Sequence, residues 1–298
     1  MLEGGKEFIH YDKLILSPGG QPKKLPIPGV DLENVFTFRG INDSIKVDAG
    51  DIHPLYTPLS ELLMPIFVAA KEGKKLVVIG SSFIGMEIVI SALKRKLASI
   101  DVIGRGSVPF ESVLGKEVGG AIQKVKLSTH SSAARLCSGV QYHESQGVKF
   151  HMGGQVEKII ASESDAKFAT GVEITDKDGQ KQVIDADFVL LAVGVSPATE
   201  FLKQSNGFPQ DVLQKDGGVL VDEHLKVRGL EDVYAIGDVA MYHDIYHGGD
   251  IRIEHWNVAG NQGRAVGRTI SGSPTPFSKI PIFWSGREYP LSSSTLLI

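Results

Sequence analysis

The sequence predicts an α/β fold built around a parallel sheet, and three observations carry that prediction. Two continuous apolar runs, Leu76-Val77-Val78-Ile79 and Phe188-Val189-Leu190-Leu191-Ala192, lack the alternation of a half-exposed strand. Such runs suit strands buried on both faces, as parallel strands under covering layers are. Between Lys74 and Ile103 the order is strand, glycine turn, helix, strand, the start of a βαβ unit. Glycine is also in excess, with 34 in 298 residues against a usual share of about 7%. Its entropic cost points to many tight turns or close approaches of backbone to ligand.

The elements follow in order. Phe8 to Leu16 reads as a short strand that ends in Ser17-Pro18-Gly19-Gly20 and a proline-rich loop, Pro22 to Pro28. Val35 to Val47 reads as a crossover or linker. After the first buried strand, Gly80 to Gly85 is a tight turn. Met86 to Leu97 has helical spacing, with Met86, Ile90 and Leu93 on one stripe and Lys94-Arg95-Lys96 near its end, where cations complement the helix dipole. Ile100 to Ile103 is the next strand and Lys116 to Val125 a second helix. Shorter strands are predicted at 148–151, 156–161, 171–175 and 182–184, with a hairpin turn at Asp178-Gly179. Strands at 219–221 and 233–236 and a helix at 258–270 complete the pattern.

Composition narrows the function. The formal net charge of -4 leaves no general basic field for nucleic acid. The single cysteine, Cys137, excludes a disulfide framework and a CxxC redox pair within the chain. The N-terminus lacks the apolar core of a signal peptide. The longest apolar stretch, Leu62 to Ala70, is too short to span a bilayer. These features predict a cytoplasmic protein. His243 and His247 have metal-like spacing without a third ligand and read as solvated loop residues. Cys137 with His130 and His143 makes no convincing zinc set, so no metal site is predicted.

The chemistry centres on Val78-Ile79-Gly80-Ser81-Ser82-Phe83-Ile84-Gly85-Met86-Glu87. Gly80 permits the tight turn, the small Ser82 lets a pyrophosphate approach the backbone, and Gly85 allows close helix–strand packing. The anion would sit on the unpaired N–H groups at the helix start. Ser82 stands where a middle glycine is usual, and its hydroxyl is able to donate to phosphate. At the end of the next strand, an acid would bind the ribose hydroxyls of NAD, whereas an arginine suits the 2′-phosphate of NADP. Here Gly104 is followed by Arg105, so NADPH is open and even favoured, against an Arg105 that is merely exposed. A second site is Val233-Tyr234-Ala235-Ile236-Gly237-Asp238, a buried strand ending in an acid. That is where open α/β sheets bind ligands, unless Asp238 is only a helix cap.

Taken in order, Tyr11 to Gly19, Gly80 to Glu87, Ala192-Val193-Gly194, Val219 to Asp238 and Glu254-His255-Trp256 resemble the pyridine-nucleotide-disulfide oxidoreductase superfamily. Within it the chain looks most like the apoptosis-inducing-factor-like and ferredoxin-reductase-like flavoproteins. The resemblance implies a Rossmann-like fold with two dinucleotide-binding domains, FAD and NAD(P)H as cofactors, and hydride transfer from NAD(P)H to FAD. Electrons would then pass to a small iron–sulfur protein or a quinone-type acceptor. By the same resemblance Ser17 and Gly19 close over the flavin dinucleotide, and Gly237-Asp238 holds the FAD ribityl and phosphate. Glu87 lies near the flavin, Gly194 lines the nicotinamide path, and His255 and Trp256 stand beside the isoalloxazine ring. Glu87 and His255 are the expected catalytic residues. For His255 a packed helix-entry role stays open, and for Trp256 a core role.

The resemblance also implies a domain order. It runs as part of an FAD-binding domain at 1–49, an NAD(P)-binding domain at 70–190, the second part of the FAD domain at 191–272, and the start of a C-terminal domain at 273–298. The first FAD-binding βαβ unit of the family precedes the residues matched here and is expected to be missing. Gly50 to Val68 and Val125 to Tyr142 interrupt matching text, and the match fades after Ser285. Short introns read through in frame account for these segments, and real surface-loop insertions are the alternative. A mitochondrial location and a remnant unable to retain flavin follow as alternatives.

Overall fold

The computed structural model describes residues 9–38, 71–93, 95–124, 144, 146–205, 207–284 and 295–297. The segments read as insertions, with Cys137, His130 and His143, lie outside the described residues. The chain divides into two compact units, one of residues 1–21, 195–283 and 295–298, the other of residues 22–194 and 284–294.

The second unit holds a five-stranded parallel sheet. Its strands are β3 (Val35–Thr37), β4 (Lys75–Ile79), β5 (Ser99–Gly104), β6 (Val148–Met152) and β10 (Phe188–Leu191), in the order β3-β10-β4-β5-β6. The continuous apolar runs are explained by two covered faces. Leu76, Val78, Val102 and Leu190 face helix α1 (Phe83–Leu93), where Met86, Ile88, Val89 and Ala92 are buried against them. Alternate residues Val77, Ile79, Ile103, Val189 and Leu191 face the other way. There they meet Ile159, Val172, Ile174 and Ile184 from the antiparallel sheet of β7 (Gln155–Ala161), β8 (Ala169–Thr175) and β9 (Lys181–Asp185). Helix α2 (Glu111–Lys124) is broken at Gly115, whose φ of 76° is not helical.

In the first unit, β1 (Leu14–Leu16) pairs in parallel with β13 (Val233–Ala235), Leu16 opposite Ala235. Strands β12 (Val219–Leu220), β14 (Ala240–His243) and β15 (Asp250–Ile251) form a second small sheet. Helix α4 (Trp256–Ile270) buries Val258, Gln262, Ala265 and Val266. Strand β2 (Gly20–Pro22) pairs with β11 (Val195–Pro197), and α3 (Glu200–Lys203) is a single turn.

Several elements differ from the sequence expectation. Val35–Thr37 is a strand rather than a linker, because it pairs with β10 in register. The two compact units divide after Gln21 and Gly194. Helix α1 starts at Phe83, not Met86, with the Met86 amide donating to the Ser82 carbonyl at 3.0 Å. His243 lies in β14 rather than in a loop.

Candidate functional site

Each unit gathers its predicted residues at the carboxyl end of its parallel strands. In the second unit Ile79, Ile103 and Leu191 stand side by side in register. The Gly80 turn, the Gly104-Arg105 loop and the Ala192-Val193-Gly194 segment therefore leave the sheet at one edge. This is the edge where α/β sheets bind ligands.

The glycines there have stated causes. Gly80 has φ +118°, and a Cβ on it would lie 2.2 Å from the Ala192 carbonyl oxygen. Its amide donates to the Ile103 carbonyl at 2.8 Å. A Cβ on Gly85 would lie 2.3 Å from the Gly80 carbonyl oxygen, so only glycine lets the first turn of α1 press on the strand. Ser82 caps that turn through its carbonyl, and no acidic residue occupies the first turn of α1. No carboxylate of the helix's own first turn therefore opposes an anion at its positive end. Glu87 is half-buried one turn further on. Gly194 has φ +96°, and its carbonyl accepts from the Lys23 amide at 2.9 Å.

β5 ends in Gly104 rather than in an acid. A Cβ on Gly104 would lie 2.5 Å from Met152 Cε and 2.6 Å from Ser81 Oγ, both ends of side chains that can turn aside. Arg105 follows it and is exposed.

In the first unit the carboxyl ends of β1 and β13 coincide, with the Ile236 amide donating to the Leu16 carbonyl at 3.0 Å. Ser17, Gly19 and the Gly237-Asp238 turn thus leave from one edge. Gly19 and Gly237 have φ of +72° and +73°, a region open to glycine at no steric cost. Asp238 is buried, and its carboxylate faces Gly20, where an added Cβ would sit 3.4 Å from Oδ2 and 2.2 Å from Val195 Cγ1.

Two residues that the sequence did not single out hold this turn. Gln262, fully buried in α4, accepts from the Gly237 amide at 2.6 Å through Oε1. Its Nε2 is buried without a partner among the described residues. Arg252 Nη1 donates to the Asp238 carbonyl at 2.9 Å and to Glu254 Oε1 at 2.6 Å, while Nε donates to Asp216 Oδ2 at 2.9 Å. His255 is the N-cap of α4, its Nδ1 accepting from the Asn257 amide at 3.1 Å. Burial pushes the His255 imidazole below its ordinary pKa, partly opposed by the Asp238 charge. The Trp256 ring stacks on it with centroids 5.7 Å apart and is largely exposed.

His243 and His247 pair with carboxylates rather than with each other. His243 Nδ1 lies 3.3 Å from Asp250, and His247 Nδ1 lies 2.7 Å from Asp244. Among the described residues there is no cluster able to hold a metal ion and no helix long and apolar enough to cross a membrane.

The family profile described as pyridine nucleotide-disulphide oxidoreductase matches residues 1–131 and 133–263. The chain belongs to that family. Among curated members similar to it are apoptosis-inducing factor 3 of Homo sapiens and rhodocoxin reductase of Rhodococcus erythropolis. The first is 28% identical over 278 residues, covering 93% of this chain and 38% of that protein. The second is 29% identical over 277 residues, covering 93% and 53%. This chain therefore spans from over a third to about half the length of these relatives. Among solved structures, the ferredoxin reductase for the CYP199A2 system from Rhodopseudomonas palustris superposes with a TM-score of 0.70 at 24% identity. It covers 93% of this chain and 56% of that one, and this likeness shows the fold.

Proposed function

We propose that the chain is an FAD-dependent oxidoreductase that takes a hydride from NAD(P)H and passes electrons to a ferredoxin-type iron–sulfur protein. The observation that carries the reading is the Gly80 turn, where two added Cβ atoms would each collide with backbone. So tight a strand–turn–helix junction suits a pyrophosphate at the N-terminus of α1. Family membership supports FAD as the second group, and a relative 28% identical over 295 residues that is named a ferredoxin reductase subunit supports the acceptor.

The first unit fits the ribityl side of FAD. Gly237 brings backbone close at positive φ, Asp238 offers a buried carboxylate, and the orphaned Gln262 Nε2 is a buried donor in need of an acceptor. Among the described residues of this unit there is no second turn like that at Gly80, so these residues supply no phosphate cradle. Bound FAD would supply the hydride-accepting and electron-releasing chemistry; the protein contributes orientation and electrostatics. Arg252 fixes the backbone of Asp238, and Gln262 fixes the amide of Gly237, so the carboxylate is held in one place. Burial lowers the pKa of His255, which favours the neutral ring whose Nδ1 accepts at the helix cap. Glu87 and His255 are the proposed catalytic residues. Ser17, Gly19, Gly80, Ser82, Gly85, Arg105, Gly194, Gly237, Asp238 and Trp256 are the proposed cofactor contacts.

The test is to add FAD to the purified protein, remove the excess and record the spectrum. The reading expects a retained flavin band, weakened in Asp238→Ala. A colourless protein that takes up no FAD contradicts it and marks the chain as a remnant that binds nucleotide at most.

A further inference from the structure

The loop after β5 is held at three points. The Gly153 amide donates to the Gly106 carbonyl, and the Phe110 amide to the Ser81 carbonyl, each at 2.9 Å. The third hold is a carboxylate. Glu111 Oε2 accepts from the Ser107 amide at 2.6 Å, the Ser107 hydroxyl at 3.0 Å and the Val108 amide at 3.3 Å. Successive amides aimed at one point form an anion-binding concavity. These donors lie three and four positions past the strand end, close to where α/β folds distinguish a ribose 2′-hydroxyl from a 2′-phosphate. With Arg105 they would make a phosphate-receptive loop, but an internal anion already fills it.

We propose that Glu111 sets the coenzyme choice of the Gly80 site, favouring NADH and opposing NADPH. The inference rests on the proposed function, because it assumes that a nicotinamide dinucleotide binds there. Three observations carry it. First, β5 ends in Gly104 and not in the acid that usually meets the NAD ribose, so that role is left open at the strand end. Second, all three loop bonds fall on Oε2, so Oε1 takes part in none of them and can accept from a ribose hydroxyl. Third, the Ser107 hydroxyl and the two amides hold the Glu111 carboxyl below the usual carboxylate range, so it stays ionised. A 2′-phosphate would have to displace a satisfied carboxylate or lie beside a like charge. A 2′-hydroxyl meets neither obstacle. Arg105 alone argues for NADPH, and Glu111 offsets it.

The test compares NADH and NADPH affinity, by coenzyme fluorescence, in the full chain and in Glu111→Gln, with thermal melting to confirm folding. The native chain is expected to bind NADH more tightly. In Glu111→Gln the ratio of the two dissociation constants should shift towards NADPH by roughly ten- to hundredfold, the scale of one charged hydrogen bond. Adding Arg105→Ala should cancel that gain. Should Glu111→Gln not fold, Glu111→Asp keeps the helix-start charge but shortens its reach, and the ratio should shift in the same direction by less. An unchanged ratio, or an equal loss for both coenzymes, would reduce Glu111 to a loop brace and overturn the inference alone. A native chain that prefers NADPH overturns it as well. A native chain that binds neither coenzyme overturns the proposed function and the inference together.

Discussion

Replacing Arg252 tests how the Asp238 turn is held. The guanidinium is largely buried, with 11% of the side chain exposed, and makes three bonds to three different acceptors. Arg252→Met keeps much of the volume and removes all three. A hydrogen bond to a charged group contributes about 1.5–3 kcal/mol when buried. Asp216 and Glu254 are 43% and 28% exposed, so water recovers part of their loss. The expected cost is about 2–4 kcal/mol, below the sum of three buried bonds. Arg252→Lys should recover less than half, because an ammonium cannot span the fork. Urea unfolding measures the cost, and FAD uptake measures the consequence for Asp238. A pH series adds a sign. Burial raises the Asp216 carboxyl, but the Gly218 amide and Arg252 outweigh it and hold its pKa low. A depressed carboxylate contributes stability that is present above its unfolded value of about 3.9 and lost as pH falls through the folded value. Native and Arg252→Met should therefore converge in acid. A variant within about 0.5 kcal/mol of native, the range of ordinary surface changes, with unchanged FAD uptake would refute the reasoning.

Other perturbations follow from the same geometry. Gly85→Ala should cost about 1–3 kcal/mol and weaken NADH binding at least tenfold, measured by melting and coenzyme fluorescence; normal binding would show that α1 need not press on the strand. His255, with its pKa lowered by burial, should contribute stability above its unfolded value of about 6.5 that is lost as pH falls through its folded value. His255→Asn keeps a cap acceptor worth about 1 kcal/mol and should flatten that loss, and a persisting acid limb would place it elsewhere. The Tyr242 hydroxyl is buried with no partner among the described residues, and burial pushes its pKa up to about 12. Tyr242→Phe should stabilise by about 1 kcal/mol, and remove a loss of stability that sets in as pH rises from about 10 towards 12. A destabilised Tyr242→Phe would mean that the hydroxyl has a partner.

The parallel sheet and the Gly80 turn were legible in the sequence because their signals are local. Four consecutive apolar residues announce a strand covered on both faces, and Gly80 and Gly85 bracket the turn they make possible. Strand β3 was not legible, since three residues carry no period and its partner β10 lies about 150 residues further on. The start of α1 was placed three residues late because Gly85 reads as part of a turn, although close packing seats it inside the helix. Gln262 and Arg252 escaped notice for a different reason. A polar residue among small or charged neighbours looks exposed until folding brings it a partner, and theirs lie 25 and 36 residues away. Glu111 has the opposite character. Its bonds are to residues three and four positions back, and an acid at a helix start after a serine is a readable pattern. What the sequence could not show is that this acid occupies the loop expected to read the coenzyme.

The proposed activity is hydride transfer from NAD(P)H to FAD. The most direct measurement is anaerobic: FAD-loaded protein is mixed with NADH, and separately with NADPH, while the flavin band is followed. The expected result is bleaching within the mixing experiment, faster with NADH than with NADPH, and its reversal by an oxidised ferredoxin. A flavin band that stays unchanged with both coenzymes, in protein shown to bind them, would contradict it.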